Sequence, residues 1–317
     1  MNGLVLPLLR QTSSALLIAL LGAAAVFLAM RAGSGDPAVA VLGENATPEA
    51  IARLHLEWGL NDPLLLQFWR WLRAAAGGDL GNSMTVAGGV PIATLLADRL
   101  PNTLFIGVYA LALAVFISLI AGTASALRHG RLVDTGATSL AILGISMPDF
   151  WLSYVLIYGL ALTTGLFPSY GFTPAQVSLS GALYTGFLPA LAIAAPMAAV
   201  FTRILRTALL ETMFRDHVRV ARAFGYREPF IFIHFVLRNA LIPYVTVIGL
   251  QIRYLLGGTV VVERIFGVPG VGALMVDAAF GRDYAIVQAC ALTFLLGVLL
   301  TNFLVDLLCV ALNPRKT

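Results

Sequence analysis

Residues 203–243, RILRTALLETMFRDHVRVARAFGYREPFIFIHFVLRNALIP, decide how the chain is organised, because they are polar in a sequence that is otherwise mostly apolar. Apolar runs flank this stretch on both sides. Its arginines are Arg203, Arg206, Arg215, Arg219, Arg222, Arg227 and Arg238, and its acids are Glu211, Asp216 and Glu228. Arginine-rich loops between membrane spans stay on the cytoplasmic side. The pattern therefore predicts a cytoplasmic loop.

The interior of this loop predicts two helices with a turn between them. Residues 212–224 contain good helix formers and neither Gly nor Pro. Gly225 suits the left-handed position that ends a helix, and Pro229 suits the first turn of the next one. Residues 230–237 are apolar enough to lie on or enter a membrane, and Pro243 is expected to kink the span that begins there. Such a projecting helix pair would suit docking of a soluble partner.

The composition indicates an integral membrane protein. The 317 residues are 59% hydrophobic and 11% charged, with a mean hydropathy of +0.88, whereas soluble domains carry about 25% charged residues. The net charge of +4 comes from loop arginines and requires no nucleic acid. The sequence has one lysine, Lys316, so it lacks the lysine of a P-loop. If ATP drives the protein, ATP and Mg²⁺ are therefore bound by another polypeptide.

Six apolar segments are long enough to span a bilayer, which takes about 20 residues each. They are residues 12–30, 103–127, 137–160, 183–202, 240–262 and 285–307. With both termini inside, twelve Lys and Arg residues fall on the cytoplasmic side and two, Arg264 and Arg282, on short outer loops. The positive-inside rule thus predicts an N-in/C-in topology. The first span is expected to stay uncleaved.

The long outer segment after the first span predicts a small helical appendage. Thr47 and Pro48 form a helix start. A second helix is expected to begin at 61–63 and to end at Gly77 and Gly78. We divide the chain accordingly into residues 1–95, the first span with its periplasmic helical segment, and residues 96–317, a membrane core.

The loop sequence resembles a known coupling loop. The runs VARAFG (220–225) and LRNALIP (237–243) are similar to the cytoplasmic loop of binding-protein-dependent ABC importer permeases, closest to B-type subunits of the dipeptide/oligopeptide/nickel group. Ala221, Gly225 and Leu237 match the wider superfamily's Glu-Ala-Ala…Gly…Ile-x-Leu-Pro pattern. The departures from it are Arg219 and Val220, then Phe235 and Arg238, and they are typical of the peptide group. A generic basic loop is the alternative.

Further matches extend the resemblance over nearly the whole chain: RLPNTL (99–104), SMPDFW (146–151), LGGTVVVE (256–263) and FGVPGVG (266–272). The resemblance implies an all-α type I importer permease with six spans in a bacterial inner membrane. It also implies a related C-type permease in a heterodimer, two ATPase subunits and a periplasmic binding protein as partners. The substrate stays open among dipeptides, oligopeptides, glutathione, nickel and metal–opine complexes.

The resemblance and the intramembrane charges give the candidate site residues. ATPase coupling is expected from Arg219, Ala221, Arg222, Gly225 and Arg227. Charges within spans are costly and favour a wet path or each other, so a translocation path is expected at Asp149, Gln251, Arg253 and Tyr254. Arg253 would receive a carboxylate and Asp149 an amine; a structural ion pair is the alternative. Glu263, Pro269 and Gly270 are expected in a periplasmic gate loop, or in a plain connecting turn.

Other function classes have less support in the sequence. The four histidines lie in separate segments, so no metal site is predicted. No nucleophile elbow surrounds Ser146, which disfavours an intramembrane hydrolase. A stand-alone secondary transporter driven by an ion gradient remains the alternative function, although the spans show no obvious repeat.

Overall fold

The computed structural model describes residues 17–31 and 36–312, and within them the fold is all-helical, with one isolated bridge between Asn82 and Pro91. The helices are α1 (Leu17–Arg31), α2 (Pro37–Leu42), α3 (Pro48–Glu57), α4 (Leu64–Ala76), α5 (Ile92–Leu127), α6 (Leu132–Ser146), α7 (Asp149–Leu156), α8 (Leu179–Thr185), α9 (Phe187–Met213), α10 (Asp216–Ala223), α11 (Glu228–Ile231), α12 (Arg238–Phe266), α13 (Val271–Phe280) and α14 (Tyr284–Leu312). Wider π-type turns continue α7 through Ile157–Leu162 and join α11 to α12 through Phe232–Leu237.

Four described helices are long and apolar enough to cross a membrane, and up to six spans result if each bent helix pair counts as one. The predicted third span is broken: α6 and the α7 segment meet at an angle of 113°. Met147 and Pro148 adopt extended backbone there. Helix α5 contains the whole predicted second span and is longer than it, because it begins at Ile92 and continues through Pro101. Of the predicted first span the structure describes Leu17–Arg31, an apolar helix that is shorter than the candidate spans counted here.

The chain forms two compact units. The central unit is Leu104–Val268, and the terminal unit comprises the described residues of Met1–Thr103 and Pro269–Thr317. Helix α9 is the core of the central unit, and it packs against α6, α7 and α12. Its buried face is rich in alanine, including Ala190, Ala194 and Ala198. Small residues allow helix backbones to approach closely within membranes.

Gly144 shows how close this approach is. A Cβ at Gly144 of α6 would lie 3.1 Å from the Cβ of Ala199 and 3.4 Å from the carbonyl oxygen of Ala195, both on α9. At Gly136, on the same helix, nothing lies within 4 Å of such an atom. The two glycines thus differ in packing while sharing one helix.

We expect Gly144→Leu to lower the thermal unfolding midpoint of the purified protein, because overpacking costs about 1–3 kcal/mol. Gly136→Leu is the matched control and should leave the midpoint unchanged or raise it, since leucine is a better helix former than glycine. Equal loss of stability in both variants would show that α6 and α9 do not pack as described.

The appendage of the terminal unit forms as predicted. The Thr47 hydroxyl caps α3 by accepting the Ala50 N–H at 3.2 Å, and Pro48 occupies the first turn. Helix α4 ends at Gly77. Its Phe68 and Trp71 pack on Phe27 of α1, with ring centroids 5.5 and 6.0 Å apart. Aromatic contacts therefore attach the appendage to the first helix.

A second attachment holds the segment before α5 to the start of α14. The Oδ2 of buried Asp283 accepts the Ser83 hydroxyl at 2.7 Å and the N–H groups of Met84, Thr85 and Val86 at 2.9, 3.0 and 3.2 Å. Burial raises the pKa of Asp283, but the Thr85 N–H, the Ser83 hydroxyl and the other donors outweigh it, so the pKa lies below its ordinary value.

This attachment predicts a pH dependence. Because the pKa of Asp283 is lower in the folded than in the unfolded protein, the folded state binds fewer protons between the two values. Its contribution to stability is present above the unfolded pKa and is lost as the pH falls through the folded pKa. Thermal unfolding of Asp283→Asn should thus show a smaller loss of stability than wild type on acidification from about pH 5 to about pH 3. An identical slope in both proteins would contradict the ionised anchor.

Candidate functional site

The basic loop leaves the central unit as two short helices, with a boundary that differs from the prediction. A single helix over 212–224 was expected, but α9 runs to Met213 and α10 begins at Asp216. Arg215, between them, is extended and precedes α10 as its N-cap. The prediction was wrong at this boundary because 212–224 contains no Gly or Pro to mark the break.

The glycine turn after α10 is confirmed. Gly225 has a φ of +79°, and the N–H of Tyr226 bonds to the carbonyl of Ala221 at 3.3 Å, which closes the helix end. A side chain at Gly225 would meet no neighbour, so glycine is needed for the backbone conformation alone. Pro229 lies in the first turn of α11, as predicted. The helix then continues through Pro243 in α12.

The inner face of α10 belongs to the core of the central unit. Val218 is fully buried and Ala221 is 4% exposed, and both lie in the same apolar cluster as Ile231 and Val236. The small side chain of Ala221 therefore packs against its own subunit, and a part of Ala221 in ATPase coupling stays a prediction. The buried pair attaches α10 to the membrane helices.

The solvent-exposed face of the loop is cationic and aromatic. Arg219, Arg222 and Arg227 are exposed, together with Gly225. Arg222 forms an ion pair with Glu228 across the turn, with Nε and Oε1 2.8 Å apart. Exposed pairs of this kind contribute about 0–1 kcal/mol. The pair therefore helps to orient the turn more than it stabilises the fold.

Exposed aromatic residues complete this face, and the sequence interpretation missed them. Phe224 is 79% exposed and Tyr226 51% exposed. The Tyr226 ring stacks on Phe230 at a centroid distance of 5.3 Å, and Phe230 stacks on His234 at 4.1 Å. Large apolar side chains exposed together usually mark an interaction site. These aromatic residues lie within an otherwise polar loop, and this pattern in the sequence could have identified them.

A buried ion pair lies close to the base of this loop and was also missed. Asp134, at the start of α6, accepts Arg206 Nε at 2.6 Å and Nη2 at 2.9 Å. The Ser125 hydroxyl and the Gly130 N–H donate to the same carboxylate at 2.5 and 2.9 Å. Asp134 is 4% exposed. Arg206 belongs to α9, so this network fixes the α5–α6 connection to the helix from which the loop leaves.

A second candidate site lies at the break between α6 and α7. The Tyr254 hydroxyl of α12 donates to Asp149 Oδ2 at 2.6 Å. The two residues line a cavity of about 460 Å³ with Pro148, Phe150, Gly257, Gly258 and Val261. A Cβ at Gly258 would lie 3.3 Å from the Tyr254 ring and 3.5 Å from Asp149 Oδ2. The two glycines and the break between α6 and α7 thus leave space for a cavity beside the Asp149–Tyr254 pair.

Two of the four residues predicted for the translocation path meet at this cavity. Asp149 and Tyr254 are in direct contact, whereas Gln251, half-buried and one turn earlier on α12, is not among the lining residues. The side chain of Arg253 lies outside the described part of the structure. Tyr254 is thus the observed partner of Asp149.

The predicted gate residues lie in two different settings. In the central unit Glu263 is fully buried near the end of α12, which Gly267 closes with a φ of +68°. In the terminal unit the Pro269 carbonyl accepts Asn102 Nδ2 at 2.9 Å. Gly270 caps α13. The chain beyond Gly270 is the helix α13, of which half the residues are buried. The gate role of this segment stays a prediction.

The described residues thus form a helical membrane domain with an exposed helix pair between two of its apolar helices. The chain belongs to the family described as binding-protein-dependent transport system inner membrane component, whose sequence model matches residues 114–317. The model of the N-terminal part of this family, described as binding-prot-dependent transport system membrane comp, N-term, matches residues 4–107.

Relatives of known name match this chain over nearly all of their own length. A putative peptide transport system permease protein of Brucella abortus is 35% identical over 97% of this chain and 98% of its own length. The oligopeptide transport system permease protein AppB of Bacillus subtilis is 35% identical over 91% and 92%. The glutathione transport system permease protein GsiC of Escherichia coli is 37% identical over 91% of each chain.

A solved structure supports the fold. An amino acid ABC transporter crystallised with histidines aligns with a TM-score of 0.52 at 14% identity, over 68% of this chain and 93% of that chain. The chain is therefore a multi-pass, non-catalytic permease component of an ABC importer, with the ATPase in a separate subunit. These findings favour the importer over the secondary transporter considered from the sequence.

Proposed function

We propose that this subunit forms half of the translocation path of an ATP-driven importer for peptides or a related small solute in a bacterial inner membrane. Its partners would be a related C-type permease, two cytoplasmic ATPase subunits that bind ATP and Mg²⁺, and a periplasmic binding protein. Nickel or a metal chelate is a further substrate class. The observation that carries the proposal is the loop of α10, Gly225 and α11. One face of this loop is exposed to solvent, and its other face is buried in the core of the central unit.

The proposed coupling works through the two faces of this loop. The ATPase would contact Arg219, Arg222, Gly225 and Arg227 together with Phe224 and Tyr226. Val218 and Ala221 belong to the apolar core that also contains residues of α9 and α12, and α10 packs against α11 and the Phe232–Leu237 turns that lead into α12. A displacement of α10 would be transmitted to α12 through this packing. ATP binding could thus bias the permease between two states, as alternating access requires.

The proposed path includes the cavity at Asp149. A carboxylate held by a hydroxyl in a mostly apolar cavity suits the ammonium group of a peptide, since charge-assisted hydrogen bonds are strong in such surroundings. Gln251 and Tyr254 are three residues apart and so lie on one side of α12. We include Gln251 in the path for this reason, and Arg253 as the group that would receive the peptide carboxylate.

Asp149→Asn tests this path. We expect kcat/KM for peptide uptake to fall by roughly 10- to 100-fold, because a charged hydrogen bond contributes about 1.5–3 kcal/mol. For an N-acetylated peptide, which lacks the ammonium group, kcat/KM for uptake should be nearly the same in the variant as in wild type. The measurement is ATP-dependent uptake by the reconstituted importer, with its binding protein present.

Asp98→Asn is the matched control, since Asp98 is exposed on α5 and does not line the cavity. Its uptake should equal that of wild type. If Asp149→Asn also transported free and acetylated peptides like wild type, Asp149 would not belong to the path, while the subunit's place in an importer would be unaffected.

We assign the outer gate to Glu263, Pro269 and Gly270. Asn102 and Thr103 hold the turn: the first donates to the Pro269 carbonyl and the second accepts the Val271 N–H at 2.9 Å. These contacts support a rigid turn at the start of α13. We also propose that the appendage of α3 and α4 contacts the binding protein.

A further inference from the structure

A cavity in the terminal unit has no role in the proposed coupling or path. Its volume is about 180 Å³, and its lining includes Met30, Arg31, Trp58, Met84, Arg282 and Gln288. These residues come from the end of α1, the appendage, the segment before α5 and the start of α14. The chain thus builds the cavity from four separate segments.

The walls of the cavity are mainly apolar. Met30, Trp58, Leu60 and Met84 contribute thioether, indole and alkyl surface. Methionine is flexible and adapts to irregular ligands. Tryptophan is enriched where a membrane meets water, because its ring is apolar at one end and polar at the other. The walls therefore suit a hydrocarbon chain more than a free ion.

Hydrogen-bond donors lie at the same cavity. Within the described residues, neither Arg31 nor Arg282 has a carboxylate partner, and the guanidinium of Arg31 lies 5.5 Å from the centre of the Phe27 ring. The Nε2 of Gln288 is buried and has no hydrogen-bond partner in that part of the chain. Leaving a buried donor unsatisfied costs about 1–3 kcal/mol, so an acceptor from outside the chain would be favoured.

The position of the cavity along the spans indicates where that acceptor comes from. Arg31 is the last residue of apolar α1, and Tyr284 is the first residue of apolar α14. In the predicted N-in topology both positions are at the outer ends of their spans, where phospholipid headgroups lie. Two arginines there complement phosphate, which guanidinium groups bind in bidentate fashion.

We propose that this cavity binds an anionic phospholipid of the outer leaflet. Arg31 and Arg282 pair with the headgroup phosphate, the Gln288 amide donates to a headgroup or ester oxygen, and the first part of an acyl chain lies against Met30, Trp58 and Met84. The bound lipid joins α1, the appendage and α14 and so stabilises the terminal unit.

The test compares three probes on the purified full-length protein in detergent: dioctanoyl phosphatidylglycerol, dioctanoyl phosphatidylcholine and inorganic phosphate. The readouts are the thermal unfolding midpoint and the phospholipid retained in native mass spectrometry. We expect phosphatidylglycerol to raise the unfolding midpoint. Phosphatidylcholine should need a roughly tenfold higher concentration for the same shift. Phosphate alone should not shift the midpoint at the concentration used for phosphatidylglycerol.

Variants assign the effect to the cavity. Arg31→Gln combined with Arg282→Gln should abolish both the shift and the retained lipid. Arg53→Gln combined with Arg73→Gln is the matched control on exposed appendage positions outside the cavity, and it should behave like wild type. Gln288→Met, which keeps the volume and removes the donor, provides a second variant if the double variant does not fold, and should also weaken the shift.

Three results would overturn the proposal. An equal shift with phosphate alone would indicate a site for a free anion. An equal shift with phosphatidylcholine would show that the net charge of the headgroup is not recognised. An unchanged shift in both the arginine and the glutamine variants would place lipid binding elsewhere on the protein.

Discussion

Phe224→Asp is expected to weaken association of the permease with its ATPase subunits by about 30-fold or more, and to reduce ATP-driven uptake accordingly. Phe224 is 79% exposed at the end of α10, beside the glycine turn. Exposed aromatic side chains that become buried in an interface often contribute about 2 kcal/mol or more, and each 1.4 kcal/mol is about a factor of ten in affinity. A carboxylate would remove the apolar contact and neutralise part of the arginine-rich face.

The measurement is the amount of ATPase that copurifies with the tagged permease, followed by titration of the purified subunits. Phe280→Asp is the matched control, because Phe280 is 83% exposed at the end of α13, on the predicted outer side. The control should copurify with ATPase normally. Normal copurification of Phe224→Asp as well would mean that the aromatic residues are not part of the docking surface.

Asp134→Asn is expected to destabilise the central unit by about 3 kcal/mol or more. The buried carboxylate accepts the Ser125 hydroxyl, the Gly130 N–H and both Arg206 contacts, and His129 Nδ1 lies 2.9 Å from its Oδ2. An amide offers one acceptor atom and turns its NH₂ group toward donors. Removing one partner of a buried pair leaves the other charge uncompensated, which costs about 3–5 kcal/mol.

Glu228→Gln is the control for this variant, because it breaks the exposed Arg222–Glu228 pair of the same unit. It should lower stability by less than about 1 kcal/mol. Thermal unfolding of the purified variants in one detergent measures both effects. Similar midpoints for Asp134→Asn and wild type would show that the Asp134–Arg206 network does not stabilise the helices around the loop.

Local sequence signals predicted much of the fold. Thr47 and Pro48 start α3, Gly77 ends α4 and Gly225 ends α10, because each depends on the conformation of one or two residues. The spans after the first were located by apolar length. The glycine turn and Pro229, which determine the shape of the loop between α9 and α12, were located from the conformational preferences of single residues.

Features that depend on tertiary contacts could not be read from the chain. The break at residues 214–215 has no Gly or Pro, so only the packing of Val218 against the core reveals it. The sequence showed Ala221 to be small but not which way it faces. Asp134 and Arg206 are 72 residues apart, and nothing in either segment identifies the other as its partner.

The most direct test of the central claim is purification of the tagged chain from its native host in mild detergent, with identification of every protein that copurifies. We expect a related permease and two ATPase subunits, with retention of the ATPases lost in Phe224→Asp. A chain that purifies alone and moves a solute in vesicles without ATP would contradict the coupling assigned to α10, Gly225 and α11.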